Sequence, residues 1–189
     1  MSTSRKWVAG GSMMEAIGAI ATIALAIVGL TGIWPAILAS VATIVTGAAF
    51  LIEGGSFGAS TVASSSNLGG VSTVNTESNA GVSSAFLGGV AGIVLGILAL
   101  LNVVAPTLLA VSLIVFGATF FLTMLATGDG FSSGAQIMGG LAALVLGILA
   151  VCGVAQMSLI LVGLLCVGGA GLFAGSALGM RAMSKQQQY

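Results

Sequence analysis

Apolar residues gather in six long windows along the chain, at about 12–31, 35–53, 84–101, 105–125, 135–152 and 156–178. A helix crossing a ~30 Å hydrocarbon core needs roughly 20 apolar residues, so each window predicts a transmembrane helix. The windows come in pairs separated by very short turns: Thr31-Gly32-Ile33-Trp34, Asn102-Val103-Val104 and Gly153-Val154-Ala155. These turns hold helix-stopping Gly or Asn, and Pro35 and Pro106 stand beside the first two, so each pair predicts an antiparallel hairpin. Between hairpins the chain turns polar, at length from Gly54 to Ser84 and briefly from Thr127 to Gly134. Neither stretch could lie in lipid as irregular backbone. The expected fold is an all-α integral membrane protein of six transmembrane helices, arranged as three tandem helical hairpins in a single domain over residues 1–189. Repeat 1 covers about 12–53, a polar loop 54–84, repeat 2 about 84–125, repeat 3 about 135–178, and a C-terminal tail 179–189.

The hairpins repeat one another. A shift of 70 residues lays the first on the second and a shift of 121 lays it on the third, with no gap inside any hairpin. Gly18 then falls on Gly88 and Gly139, Ala26 on Gly96 and Gly147, and Gly47 on Gly117 and Gly168. Hydrophobic composition alone would not keep glycines in phase through both helices, so the pattern predicts an internal triplication. It also explains the glycine content. The first helix of each repeat carries a small residue at every fourth position: Gly18, Thr22 and Ala26, then Gly88, Gly92 and Gly96, then Gly139, Ala143 and Gly147. A spacing of four puts them on one helical face, and small faces let transmembrane backbones approach closely. These nine positions are the expected helix-packing sites.

Composition narrows the function. Of 189 residues 58% are hydrophobic and only eight are charged, four of each sign, against about 25% charged in soluble domains. Without a basic stretch there is nothing to neutralise phosphates, which excludes nucleic acid as a partner. The absence of histidine, with two cysteines and four scattered carboxylates, removes the usual ligand sets for zinc, haem, non-haem iron and copper. No metal or cofactor is expected. Arg5, Lys6, Arg181 and Lys185 are the only cations. Six spans put both ends on one side, and the positive-inside rule makes that side cytoplasmic, which predicts a multi-pass protein of the cell's inner (cytoplasmic) membrane. Arg5-Lys6 before an apolar run could suggest a signal peptide, but that run is the first element of the repeat.

Glu15 and Glu53 are the candidate chemistry. They stand near the start of the first helix and the end of the second, which antiparallel packing brings to similar depth. An ionisable group in a span is a functional candidate, and two carboxylates could share a proton or hold a cation. The simpler reading is that both mark the headgroup boundary. The repeat favours it, because Glu15 aligns with Ala85 and Gln136, and Glu53 with Thr123 and Ala174. Thr22, Ser40, Thr43 and Thr46 make the first hairpin the most polar, yet hydroxyls in spans usually bond a carbonyl one turn back or a neighbouring helix. Cys152 and Cys166 differ in depth by roughly 15 Å at 1.5 Å per residue, too far for a disulfide.

Three glycine-rich hairpins of this kind resemble the HdeD-like family of bacterial acid-resistance membrane proteins. The resemblance rests on the run from Gly92 to Leu98 followed by a turn with Pro106, and on the second-helix glycines Gly47, Gly117 and Gly168. It implies a small integral membrane protein linked to acid stress, with no catalytic residue to carry over. The chain departs from that pattern in its scarcity of charge, its long Ser/Thr loop, and Gln156 where Pro35 aligns. The general acid-base and nucleophilic constellations of enzymes are absent. Two readings follow. The first is a non-catalytic structural or accessory membrane protein, packing by glycine-rich helix faces within a larger membrane complex or homo-oligomer. Its partners would be membrane lipid and other membrane-protein subunits or copies of itself. The alternative is a small ion or proton channel or transporter using Glu15 and Glu53.

Overall fold

The computed structural model describes residues 4–65, 76–102, 104–127, 132–153 and 155–184, with side chains at 16–52, 54, 84–102, 104–123, 134, 136–153 and 155–173. The described residues form six helices: α1 (Ser4–Leu30), α2 (Pro35–Ser65), α3 (Thr76–Leu100), α4 (Ala105–Thr127), α5 (Ser132–Val151) and α6 (Gln156–Ser184). Each of the six expected windows falls on one helix, three of them within and the windows 12–31, 84–101 and 135–152 running one residue past the helix end. The helices overrun the windows where the sequence turns polar: α2 runs on through Gly54 to Ser65, and α3 starts at Thr76 rather than near Ser84. Hydropathy marks where lipid-compatible side chains end, whereas a helix stops only when its backbone hydrogen bonds find other partners. The polar connection is correspondingly shorter than 54–84.

The three tight turns share one device. Each holds two residues with positive φ: Gly32 (88°) and Trp34 (45°), Asn102 (60°) and Val104 (48°), Gly153 (88°) and Ala155 (41°). The first of each pair ends a helix, its N–H donating to the carbonyl of Gly29, Ala99 or Ala150 at 3.0–3.1 Å. Glycine suits that left-handed position and asparagine is the next best choice. The second starts the following helix, its carbonyl accepting from Leu38, Leu108 or Leu159 at 3.1–3.2 Å. Trp34, Val104 and Ala155 hold this conformation at roughly 1–2 kcal/mol each, which the closed hairpins offset.

The helices form a closed ring in which α1 packs on α2, α2 on α3, and so on round to α6 on α1. Inside it α2, α4 and α6 also touch one another, so the even helices make the centre and each odd helix fills the groove between two of them. The centre is filled by Leu109, Leu113 and Phe116 of α4 and Ile160, Leu161 and Leu164 of α6, all fully buried. The even helices carry the longest apolar windows, Pro35–Ile52, Ala105–Thr123 and Gln156–Phe173, each long and apolar enough to cross a membrane. The odd helices have shorter ones, Ala16–Leu30, Ser84–Leu100 and Gln136–Val151. Their outward faces expose Ile17, Leu87, Met138, Ile27, Ile97 and Ile148. An apolar belt of that extent is not stable against water.

Candidate functional site

Seven of the nine stripe positions are buried, and Gly18 and Gly139 are half-buried. A Cβ added at Gly18 would meet the Ala49 Cβ at 3.0 Å, and one at Gly139 the Ala170 Cβ at 2.5 Å; one at Gly88 would strike Thr119. These are the same contact within three hairpins. One turn deeper, Thr22 and Thr46 join hydroxyls at 2.9 Å, Gly92 makes room for the ring of Phe116, and Ala143 is fully buried. At the far end, a Cβ on Gly96 would meet Ile44 Cγ1 at 2.6 Å and one on Gly147 would meet Ile114 Cγ1 at 2.7 Å, each on the preceding hairpin. Ala26, in the same register, is fully buried. All nine stripe positions thus serve contacts within the chain.

The closest approaches to backbone atoms, rather than to side chains, lie on a second face that the stripes did not include. A Cβ at Gly47 would stand 2.8 Å from the Gly89 carbonyl oxygen and 2.9 Å from the Ile93 nitrogen. At Gly117 it would stand 2.7 Å from the Gly140 oxygen and 2.8 Å from the Leu144 nitrogen. Here helix backbones touch, which only glycine allows. The third member, Gly168, faces Ala19; its backbone contacts are looser, at 3.2 Å to the Ala19 oxygen and 3.5 Å to the Ile23 nitrogen, and its nearest neighbour is a side-chain atom, Ile23 Cγ1 at 2.8 Å, where Ala19 carries a methyl group that Gly89 and Gly140 lack. The shifts of 70 and 121 that align the stripes also align Ala19 with Gly89 and Gly140. That alignment was the available signal for this face.

The buried hydroxyls are satisfied locally. Ser40 donates to the Ala36 carbonyl, Thr43 to Ala39 and Thr119 to Val115, each at 2.8 Å, and Ser112 to Leu109 at 2.7 Å. Thr22 reaches the Gly18 carbonyl at 2.9 Å and Thr46 the Ala42 carbonyl at 2.8 Å. No described buried side-chain nitrogen or oxygen lacks a hydrogen-bond partner. With Leu113, Leu164 and Phe116 filling the centre, no polar path follows the ring axis through the described residues. The aromatic plug continues with Phe50, whose ring lies 5.5 Å from Phe116 and 5.1 Å, edge-on, from Phe120.

Off the axis, α1, α2 and α6, with Phe120 of α4, line a partly open cavity of about 30 Å³, space for about two water-sized groups. Gly18, Ala19 and Thr22 line it from α1, Thr46, Ala49 and Phe50 from α2, and Gly168 and Gly171 from α6. The Thr22–Thr46 hydroxyl pair is its main polar feature. Glu15 and Glu53 sit on α1 and α2, but their side chains lie outside the described residues. Among the described residues no three of His, Cys, Asp or Glu come together as metal ligands. Cys152 is exposed beside its turn, and both cysteines are free. Compared with known proteins, the chain matches no family model, and no curated protein or solved structure gives a significant match.

Proposed function

We propose that this chain is a non-catalytic structural or accessory protein of the cell's inner membrane: a six-span scaffold of three repeated hairpins that associates with other membrane-protein subunits or copies of itself. The observation that carries the reading is the recurring backbone contact of Gly47 with Gly89, Gly117 with Gly140 and Gly168 with Ala19. It supports a triplicated hairpin closed on itself as a rigid unit. The filled axis favours a scaffold over axial conduction. Kinship with the HdeD-like proteins belongs to the same proposal at the level of the fold, resting on Gly92 to Leu98, Pro106 and the second-helix glycines.

Because the glycine faces are spent inside the ring, association would use the Ile/Leu/Val/Met outer faces of α1, α3 and α5. The test is the native mass after extraction in mild detergent, with identification of every co-migrating chain. Recovery in a complex with other membrane proteins, or as a defined homo-oligomer, is the expected result, and recovery as a bare monomer would remove the accessory role. Topology has its own check. Cys152 is exposed at the α5 turn while Cys166 is partly buried within α6. With both termini cytoplasmic, a membrane-impermeant maleimide should modify Cys152 from outside intact cells and leave Cys166 unmodified. Modification of Cys152 only after permeabilisation would reverse the orientation.

A further inference from the structure

Three seams join one hairpin to the next: α2 on α3, α4 on α5, and α6 back on α1. The first two join helices that follow one another in the chain, whereas nearly the whole sequence separates α1 from α6, so only non-covalent contacts close the third. Those contacts are unequal along its length. Towards the turns they are close: a Cβ on Gly29 would meet the Leu161 Cδ2 at 2.7 Å, and one on Gly168 the Ile23 Cγ1 at 2.8 Å. About one turn further from that end they slacken. A Cβ on Gly171 meets only the Ala19 Cβ, at 3.5 Å, whereas at the equivalent place on the α4–α5 seam a Cβ on Gly140 would stand 2.8 Å from the Phe120 Cβ.

The repeat shows what the slack end lacks. Gly171 aligns with Phe50 and Phe120, and those two rings fill the same level of the ring on α2 and α4, only 6% and 5% exposed. Where a third ring would stand there is the partly open off-axis cavity. Ala19, which aligns with Gly89 and Gly140, carries a methyl group at the level where the other two seams bring backbones together. Side chains that face a gap lose contact energy for want of partner atoms, and helices open first where such contacts are fewest. Thr22 and Thr46 line the same cavity. Their hydrogen bonds run to each other and to the Gly18 and Ala42 carbonyls. The pair therefore ties α1 to α2, and α6 can draw away from it without breaking any of these bonds.

We propose that the α1–α6 seam is a lateral gate: at the end away from the turns the two helices part about a pivot at Gly29 and Leu161, opening the off-axis cavity and the Thr22–Thr46 pair to the surrounding membrane. The proposal goes beyond the scaffold reading, since it leaves the α2–α3 and α4–α5 seams rigid and gives the third a movement of its own. The test is hydrogen–deuterium exchange on the purified full chain in mild detergent. Amides of residues 16–22 should exchange about tenfold faster than those of 86–92, the equivalent stretch of α3, while those of 24–30, at the pivot, should not. A disulfide should lock the gate. Ala19→Cys with Gly171→Cys places two Cβ atoms 3.5 Å apart, within the span of a disulfide, and in a chain also carrying Cys152→Ala and Cys166→Ala its oxidation should remove the excess exchange at 16–22. Ala19→Gly distinguishes a gate from simple fraying of a terminal helix. It should slow exchange at 16–22 by letting the seam close, although glycine weakens a helix, whereas fraying would speed up. Should the cysteine pair not fold, Ala19→Gly against the native chain carries the test. Equal exchange at 16–22 and 86–92, an excess that survives the disulfide, or faster exchange in Ala19→Gly would each overturn the proposal.

Discussion

Gly117→Leu should prevent the ring from closing: the chain should reach the membrane but be recovered as an aggregating, protease-sensitive form. Even a Cβ at Gly117 would stand 2.7 Å from a carbonyl oxygen and 2.8 Å from an amide nitrogen of α5, and backbone atoms cannot rotate aside as a side-chain tip can. The only relief is to move α4 and α5 apart, which also empties the contacts that Gly140 and Gly147 make across the same seam. Overpacking of this kind costs about 3 kcal/mol or more, a large share of the stability of a small domain. Alanine in the same positions gives a finer test, because the three seams differ in tightness. Gly47→Ala and Gly117→Ala, against backbone atoms at 2.7–2.9 Å, should each cost about 2–3 kcal/mol. Gly168→Ala, at the seam already wedged by Ala19, should cost roughly half as much. Gly169→Ala, with nothing within 4 Å of its Cβ, should be neutral or stabilising. Unfolding midpoints in a graded denaturing detergent would rank the four. Equal losses at Gly47, Gly117 and Gly168 would mean that the seams are equivalent and that Ala19 does not hold α1 and α6 apart.

Much of this architecture is legible in the sequence, because in a chain of low charge the apolar windows and the turn residues carry the same message. The hairpin turns were marked by Gly32, Asn102 and Gly153, which take the left-handed positions, and the four-residue spacing through Gly18, Gly88 and Gly139 put each stripe on one helical face without saying which neighbour that face meets. What the windows did not give is helix length. Gly54–Ser65 has the composition of a linker, yet it continues α2, since serine, threonine and alanine tolerate a helix once a longer one has nucleated it. Nor does hydropathy distinguish central helices from peripheral ones. That depends on which residues fill the middle, and Leu109, Leu113 and Phe116 do so only because α3 and α5 present Gly92 and Ala143 beside the even helices. The cavity was hidden for a related reason. Gly171 reads as one more glycine in a glycine-rich helix, and its meaning emerges only when Phe50 and Phe120 are seen at the same level.

The hydroxyl pair of the first hairpin, the Gly92–Phe116 pair of the second and the Ala143–Val167 pair of the third align under the shifts of 70 and 121 and carry three different chemistries. Phe116 is fully buried, stacks against Phe50 at 5.5 Å, and sits where a Cβ on Gly92 would collide with its ring. Phe116→Ala should therefore cost about 3–5 kcal/mol, the usual range for emptying an aromatic core site. Gly92→Ala alone should also destabilise, by about 1–3 kcal/mol, because a ring enclosed on all sides has no space to retreat. The informative variant is the double change Gly92→Ala with Phe116→Val, which installs the third hairpin's pair in the second. If the hairpins are repeats of one packing unit, the methyl group that clashes with phenylalanine should fit beside valine. The double variant should then be more stable than the sum of the two single losses by at least about 1 kcal/mol, a coupling of the size seen between residues in direct contact. Strict additivity would show that the three positions share a register without sharing a packing environment, and the threefold reading of the interior would fail at its most buried layer.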